Sequence, residues 1–136
     1  MSRLGPLKLK VMLFCGEVTA MGPGKAELLE AIEREGSISA AGRAMGMSYR
    51  RAWTLVDTMN RCWTQPLVKT SVGGGAGGGA QLTPFGEELL KAYRELEAQL
   101  VQCAAAGRFH EFERDLLERP RAPVSEEDAQ SAGERA

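Results

Sequence analysis

Ser48-Tyr49-Arg50-Arg51, with Thr54 about one helical turn further on, is the stretch of this chain best equipped to grip an anion. A guanidinium presents two parallel N–H donors that match guanine O6 and N7, or a pair of phosphate oxygens. The hydroxyls of Ser48 and Tyr49 add single hydrogen bonds, and a helix starting here would add its own N-terminal N–H groups. The basic excess is local. Between Ser37 and Val72 stand Arg43, Arg50, Arg51, Arg61 and Lys69 against Asp57 alone. Residues 1–81 hold 10 Lys and Arg against 6 Asp and Glu, and residues 82–136 hold 7 against 12, so the net charge of −1 conceals halves of +4 and −5. A local basic surface attracts phosphate even on a neutral molecule.

Other chemistry finds little support. The only histidine is His110, and Cys15, Cys62 and Cys103 are odd in number, widely spaced and without CxxC spacing. This argues against a zinc site and a disulfide framework, and reads as three partly buried thiols in a reducing cell. No nucleophile–base pair stands out, so no enzyme and no cofactor are expected. The glycine tract 73–79 lacks the following Lys-Ser or Lys-Thr of a nucleotide-binding loop. With 43% hydrophobic and 26% charged residues the composition is that of an ordinary soluble protein. There is no apolar run long enough for a membrane span, and Lys8 and Lys10 interrupt the N-terminal apolar stretch, so a cytoplasmic protein is expected.

The elements that must carry these residues follow from periodicity and caps. Alternation over residues 7–11 predicts a strand. Pro23 prepares a helix over residues 25–35 with Leu28, Leu29 and Ile32 inward, ended by Gly36. A second helix is expected over 37–45, capped by Ser37 or Ser39, and a third over 48–63, capped by Ser48. Trp53 and Trp63 read as core or interface residues rather than groups that stack on bases. Residues 66–72 and 80–82 read as two strands joined through the glycine tract. Thr83-Pro84 opens a fourth helix on which Phe85, Leu89, Tyr93, Leu96, Leu100 and Cys103 approach a heptad seam. A short helix over 109–117 and a disordered polar tail from 118 complete the prediction.

Helix, helix, glycine turn, helix, hairpin, helix is the order of a winged helix-turn-helix. With Gly46 as the turn glycine, the positions that should be buried are Ala41, Gly42, Met45, Met47, Ala52 and Leu55, all apolar or small. The fold expected is therefore mainly α with a small β-hairpin wing, plus a long C-terminal dimerisation helix. Residues 1–103 form the DNA-binding domain, and residues 104–136 a short helix and polar tail. The third helix would enter the major groove of duplex DNA. The DNA-contacting set is expected to be Ser37, Ser39, Ser48, Tyr49, Arg50, Arg51, Thr54, Lys69, Gly74 and Gly77, the last two at a wing tip that lies against the sugar-phosphate chain. The dimer seam is expected at Leu89, Tyr93, Leu96 and Leu100.

The chain resembles the N-terminal DNA-binding domain of the ModE family of molybdate-responsive transcription regulators. The matching residues are Gly36-Ser37-Ile38-Ser39, Gly46, Ser48-Tyr49, Ala52-Trp53, Asn60, Leu67-Val68, the tract 73–79, and Leu82-Thr83 with Gly86, Leu89 and Tyr93. They cover about residues 7–103. The resemblance implies a LysR-like winged helix, dimeric, bound to an inverted repeat near genes for molybdate uptake or molybdoenzymes. The residues after 103 look too polar for the family's molbindin domains, so no molybdate binding is expected of this chain alone. The competing function is an interaction module that heterodimerises with a full-length regulator and acts as an antagonist.

Overall fold

The computed structural model describes residues 2–72 and 78–127. The chain is mainly α-helical, with three small antiparallel strand pairs. Strands β1 (Arg3–Leu4) and β2 (Leu7–Lys8) pair with each other, as do β3 (Leu13–Cys15) and β4 (Val18–Met21). Helices α1 (Pro23–Glu35), α2 (Ile38–Ala44) and α3 (Tyr49–Cys62) come next. The hairpin of β5 (Val68–Ser71) and β6 (Gly79–Leu82) leads into the long α4 (Pro84–Ala106) and the short α5 (Phe109–Asp115). No described helix is long and apolar enough to cross a membrane.

The helix boundaries are set by their caps. Ser37 accepts the Ala40 N–H at 3.0 Å, so it and not Ser39 opens α2. Ser48 accepts the Arg51 N–H at 3.1 Å, and Thr83 accepts that of Gly86 at 2.9 Å, each satisfying one N–H that has no partner within its helix. Pro23 and Pro84 stand in first turns, where a missing N–H costs nothing.

The N-terminus departs from the expected single strand over 7–11. Only Leu7 and Lys8 of that stretch pair, with Leu4 and Arg3, and the β3–β4 hairpin was not anticipated. Its turn, Gly16-Glu17, uses a left-handed glycine (φ +61), as a two-residue hairpin loop requires.

One core joins these elements. Leu28, Leu29 and Ile32 of α1 meet Ile38 and Ala41 of α2, Ala52, Val56 and Met59 of α3, and Leu67, Val68, Ala80 and Leu82 of the hairpin. Leu90 and Tyr93 bring in α4. Tyr93 is 3% exposed and donates its hydroxyl to Val11 O at 2.8 Å. Burial, and then the Glu97 carboxylate, push its pKa up to about 12. Next to it, Arg94 binds Glu97 at 2.7 Å and also pairs with Glu30 on α1, which ties α4 to α1.

Candidate nucleic-acid interface

The unit of α2, turn and α3 is shaped by two small residues. Gly46 holds φ +71, a left-handed conformation that side chains rarely adopt, and it turns the chain between the helices. A Cβ on Gly42 would lie 3.2 Å from the Ala52 Cβ and 3.4 Å from Met47 O, so the missing side chain sets how closely α3 crosses α2. Of the six positions expected to be buried, Ala41, Gly42 and Ala52 are fully buried; Met45, Met47 and Leu55 are half-buried against the core.

With α3 fixed by Ala52, Val56 and Met59, its outward line is determined. At 100° per residue, Arg50, Thr54, Asp57 and Arg61 lie opposite those three. Arg50 and Thr54 are exposed in the first turns. Thr54 donates its hydroxyl to Arg50 O at 2.8 Å, so its proton is spent within the helix. Arg61 binds Asp57 at 3.0 Å, leaving little free charge at the far end of the line.

Arg51, although exposed, stands to one side. It borders a cleft of about 220 Å³ with Met12, Lys25, Met45, Met47 and Leu55. Tyr49 and Trp53 stand on the other side, toward the β5–β6 hairpin. There they line a cleft of about 330 Å³ with Ile38, Ser39, Thr70, Ser71, Val72, Gly78 and Gly79.

The hairpin is held at a fixed angle to α3 by Asn60. Its Oδ1 accepts the N–H groups of Leu67 (2.8 Å) and Val68 (3.1 Å), and its Nδ2 donates to Val68 O at 3.1 Å. At the other end of the hairpin, Ala80 N–H donates to Gly36 O at 2.8 Å. The start of α4 is pressed against the same strand: Thr83 donates its hydroxyl to Pro66 O at 2.8 Å. Gly86 lies so close that a Cβ there would be 2.2 Å from Leu67 O.

The expected contact residues thus divide. Ser39, Tyr49, Thr70 and Ser71 share the cleft beside α3, and Ser48, Arg50, Arg51 and Thr54 share the first turns of α3. Lys69 points away from the α3 cleft. It borders a second cleft with Glu33, Gly36 and Gln81, which Thr70, Ser71 and Gly79 also line. Ser37 is half-buried and occupied as a cap. Gly74 and Gly77 lie outside the described residues, as do residues 128–136 of the expected tail.

Trp53, read from the sequence as core or interface, is 47% exposed, and its indole N–H makes no hydrogen bond with any described residue. Trp63 is half-buried and donates to Ala20 O at 3.2 Å. Sequence reasoning missed Trp53, Thr70 and Ser71 as surface groups; the available signal was the spacing of four from Tyr49 to Trp53. Arg43, counted in the basic cluster, was not placed in the contact set; it is exposed and donates to Ser39 at 3.1 Å.

Charge in the basic stretch from Ser37 to Val72 is largely not neutralised from within. Among the described residues Arg43, Arg50, Arg51 and Lys69 form no ion pair, whereas Arg34, Arg61, Arg94, Arg108 and Arg114 each do.

The residues expected as a seam on α4 also divide. Leu89 and Leu96 are half-buried and Leu100 is exposed, whereas Tyr93 is turned into its own chain's core. The cysteines are less buried than expected. Cys15 and Cys103 are exposed, and Cys62 is half-buried with its pKa raised by burial and by the neighbouring Cys15 thiol. Among the described residues no three His, Cys, Asp or Glu side chains converge as metal ligands would.

No family model matches the chain. It is 46% identical over 96 residues to the molybdenum-pterin-binding protein MopB of Rhodobacter capsulatus, covering 71% of this chain and 34% of that protein. It is 47% identical over 81 residues to the molybdenum transport protein ModE of Azotobacter vinelandii, covering 60% and 30%. Against the DNA-binding transcriptional dual regulator ModE of Escherichia coli (strain K12) it is 39% identical over 98 residues, covering 72% and 35%. The chain spans about a third of the length of these curated relatives.

Proposed function

We propose that this chain is a sequence-specific duplex-DNA-binding regulator of transcription, linked to molybdenum metabolism and acting as a dimer. In this reading α2 and α3 form a helix-turn-helix, the β5–β6 hairpin is its wing, and α4 supplies the dimer contact. Residues 1–103 make up that unit. The observation that carries the reading is the outward line of α3. A capped helix presents Arg50 and Thr54 to solvent, flanked by Arg51, which forms no ion pair with any described residue, beside a hairpin fixed by Asn60. Arg50 then enters the major groove and reads a guanine edge, while Arg51, Ser48 and the helix N-terminus meet phosphates.

The names of the relatives support the same direction: DNA binding and dual regulation in one, molybdenum in the others. For the dimer, Leu96 and Leu100 form the free stripe of α4; Leu89 packs partly against its own core, and Tyr93 belongs to the adjacent face that holds the helix to its own chain.

The deciding experiment is selection of duplexes from a random library by the purified chain, then anisotropy titration of the enriched and scrambled sequences. Enrichment of an inverted repeat, bound at least a hundredfold more tightly than scrambled duplex, is expected. Equal affinity for every duplex, or none for any, refutes the reading.

A further inference from the structure

The cleft between α3 and the β5–β6 hairpin contains no charged residue among its described lining groups, although the helix that forms one wall carries Arg50 and Arg51 in its first turns. Its lining combines hydroxyls and aromatic faces: Ser39 from α2, Tyr49 and Trp53 from α3, Thr70 and Ser71 from β5, with Gly79 opposite. The Trp53 indole N–H and the Tyr49 hydroxyl make no hydrogen bond with any described residue. An exposed indole with a free donor, held beside exposed hydroxyls by a hairpin that Asn60 fixes in place, is a poor use of surface unless something covers it.

We propose that this cleft seats one sugar-phosphate strand of duplex DNA through uncharged groups, with Trp53 and Tyr49 as its wall. This rests on the DNA-binding reading above. A helix in one groove and a hairpin at the next leave a single phosphodiester strand between them, and the cleft is what this chain offers that strand. The apolar face of deoxyribose lies against the two rings. The phosphate oxygens accept from the indole N–H and from the Tyr49, Thr70 or Ser71 hydroxyls.

The consequence is specific. Salt dependence arises where Lys or Arg neutralises a phosphate and releases its counterions. A phosphate held by neutral donors keeps its charge and its counterion atmosphere. The cleft therefore contributes affinity that does not vary with salt, and it positions the protein without reading sequence.

The test is anisotropy titration of W53F and Y49F, as full chains, on the selected inverted repeat and on scrambled duplex, over a series of salt concentrations. Loss of one hydrogen bond to a charged oxygen is expected to weaken W53F about tenfold. The loss should be equal on both duplexes, with the slope of log K against log salt unchanged. R51A on the same duplexes should instead lower the slope. Trp53 makes no hydrogen bond within the described chain, so the W53F melting temperature should stay near that of the parent. Acrylamide quenching supplies an independent reading: duplex should protect the parent's emission and leave that of W53F, which reports Trp63 alone, unchanged.

The proposal is overturned if W53F and Y49F both bind within twofold of the parent, if their loss brings a reduced slope, or if duplex leaves the parent's quenching unaltered. A parent that binds no duplex overturns the DNA-binding reading together with this one. Normal binding by W53F and Y49F overturns the cleft proposal alone.

Discussion

Arg50→Ala is the perturbation that separates a recognition helix from a solvated one. Arg50 stands in the first turn of α3 on the line opposite Ala52, Val56 and Met59, and it forms no ion pair with any described residue. Truncating it should therefore cost the fold almost nothing, since surface substitutions without partners stay within about 0.5 kcal/mol. A bidentate contact to guanine is worth about 1–3 kcal/mol of discrimination. At about 1.4 kcal/mol per tenfold, the dissociation constant for the operator should rise roughly 5- to 150-fold. The constant for scrambled duplex should rise much less, so the specificity ratio collapses.

Arg51→Ala and Arg61→Ala are the controls. Arg51 faces sideways, toward Met45 and Met47, and fits a phosphate contact. Its loss should weaken all duplexes alike and lower the salt slope by about 0.9. Arg61 already binds Asp57 at 3.0 Å, so its removal should have a small effect. Anisotropy at three salt concentrations on two duplexes reads all of these. If Arg50→Ala leaves the specificity ratio of the parent intact, the assignment of α3 as the reading helix is wrong.

Gly86→Ala should destabilise the chain by about 3 kcal/mol, because its Cβ would meet Leu67 backbone at 2.2 Å, although the same change in an open helix is favourable by about 1 kcal/mol; an unchanged thermal midpoint would show that α4 does not lie where described. Tyr93, raised to about 12 from an ordinary 10, binds its proton more tightly folded than unfolded. The resulting stability is full below pH 10 and is lost as pH climbs toward 12, and denaturant midpoints that stay flat across that window would contradict its burial. Leu96→Glu places a charge on the free stripe of α4 and should convert a dimer to a monomer in light scattering at tens of micromolar (a rough working range); a parent that is already monomeric there counts against the seam. Molybdate should neither bind this chain in calorimetry nor change its DNA affinity, and a stoichiometric micromolar site absent for sulfate would overturn that.

The α2–α3 unit was legible because its signals are local. Ser37, Ser48 and Thr83 cap within three residues, Gly46 turns the chain where it stands, and Ala52, Val56 and Met59 repeat at helical spacing. The N-terminal hairpins were not legible, because strands of two to four residues are too short for a period of two to register. Lys69 and Thr70 are neighbours in sequence and share one cleft, yet only Thr70 also reaches the cleft beside α3, which depends on how Asn60 sets the hairpin. Of the two readings of Trp53, core or interface, its exposure excludes the core; tryptophan is usually well buried, and nothing local reveals that its position on α3 faces a cleft. The heptad spacing on α4 correctly found apolar residues but could not tell two adjacent faces apart. Tyr93 is drawn inward by Val11, 82 positions away in sequence, and no local pattern encodes that partner.

The whole-chain charge of −1 is misleading for a physical reason that bears on the proposed orientation. Screening limits exposed charges to about 8 Å at physiological ionic strength, so an approaching phosphate feels a face and not a sum. Many of the other arginines are already engaged: Arg94 by Glu30 and Glu97, Arg108 by Glu111, Arg114 by Asp115. Arg43, Arg50 and Arg51 are not, and they lie along α2 and the first turn of α3. The surplus acid is carried by the C-terminal helices, with Glu87, Glu88 and Glu95 of α4 and Glu111 and Glu113 of α5 exposed. A polyanion is therefore attracted by the free arginines of α2 and α3 and repelled by the acidic surface of α4 and α5. In the proposed complex, that asymmetry turns α3 toward the duplex before any base is read, and it keeps α4 free for a second copy.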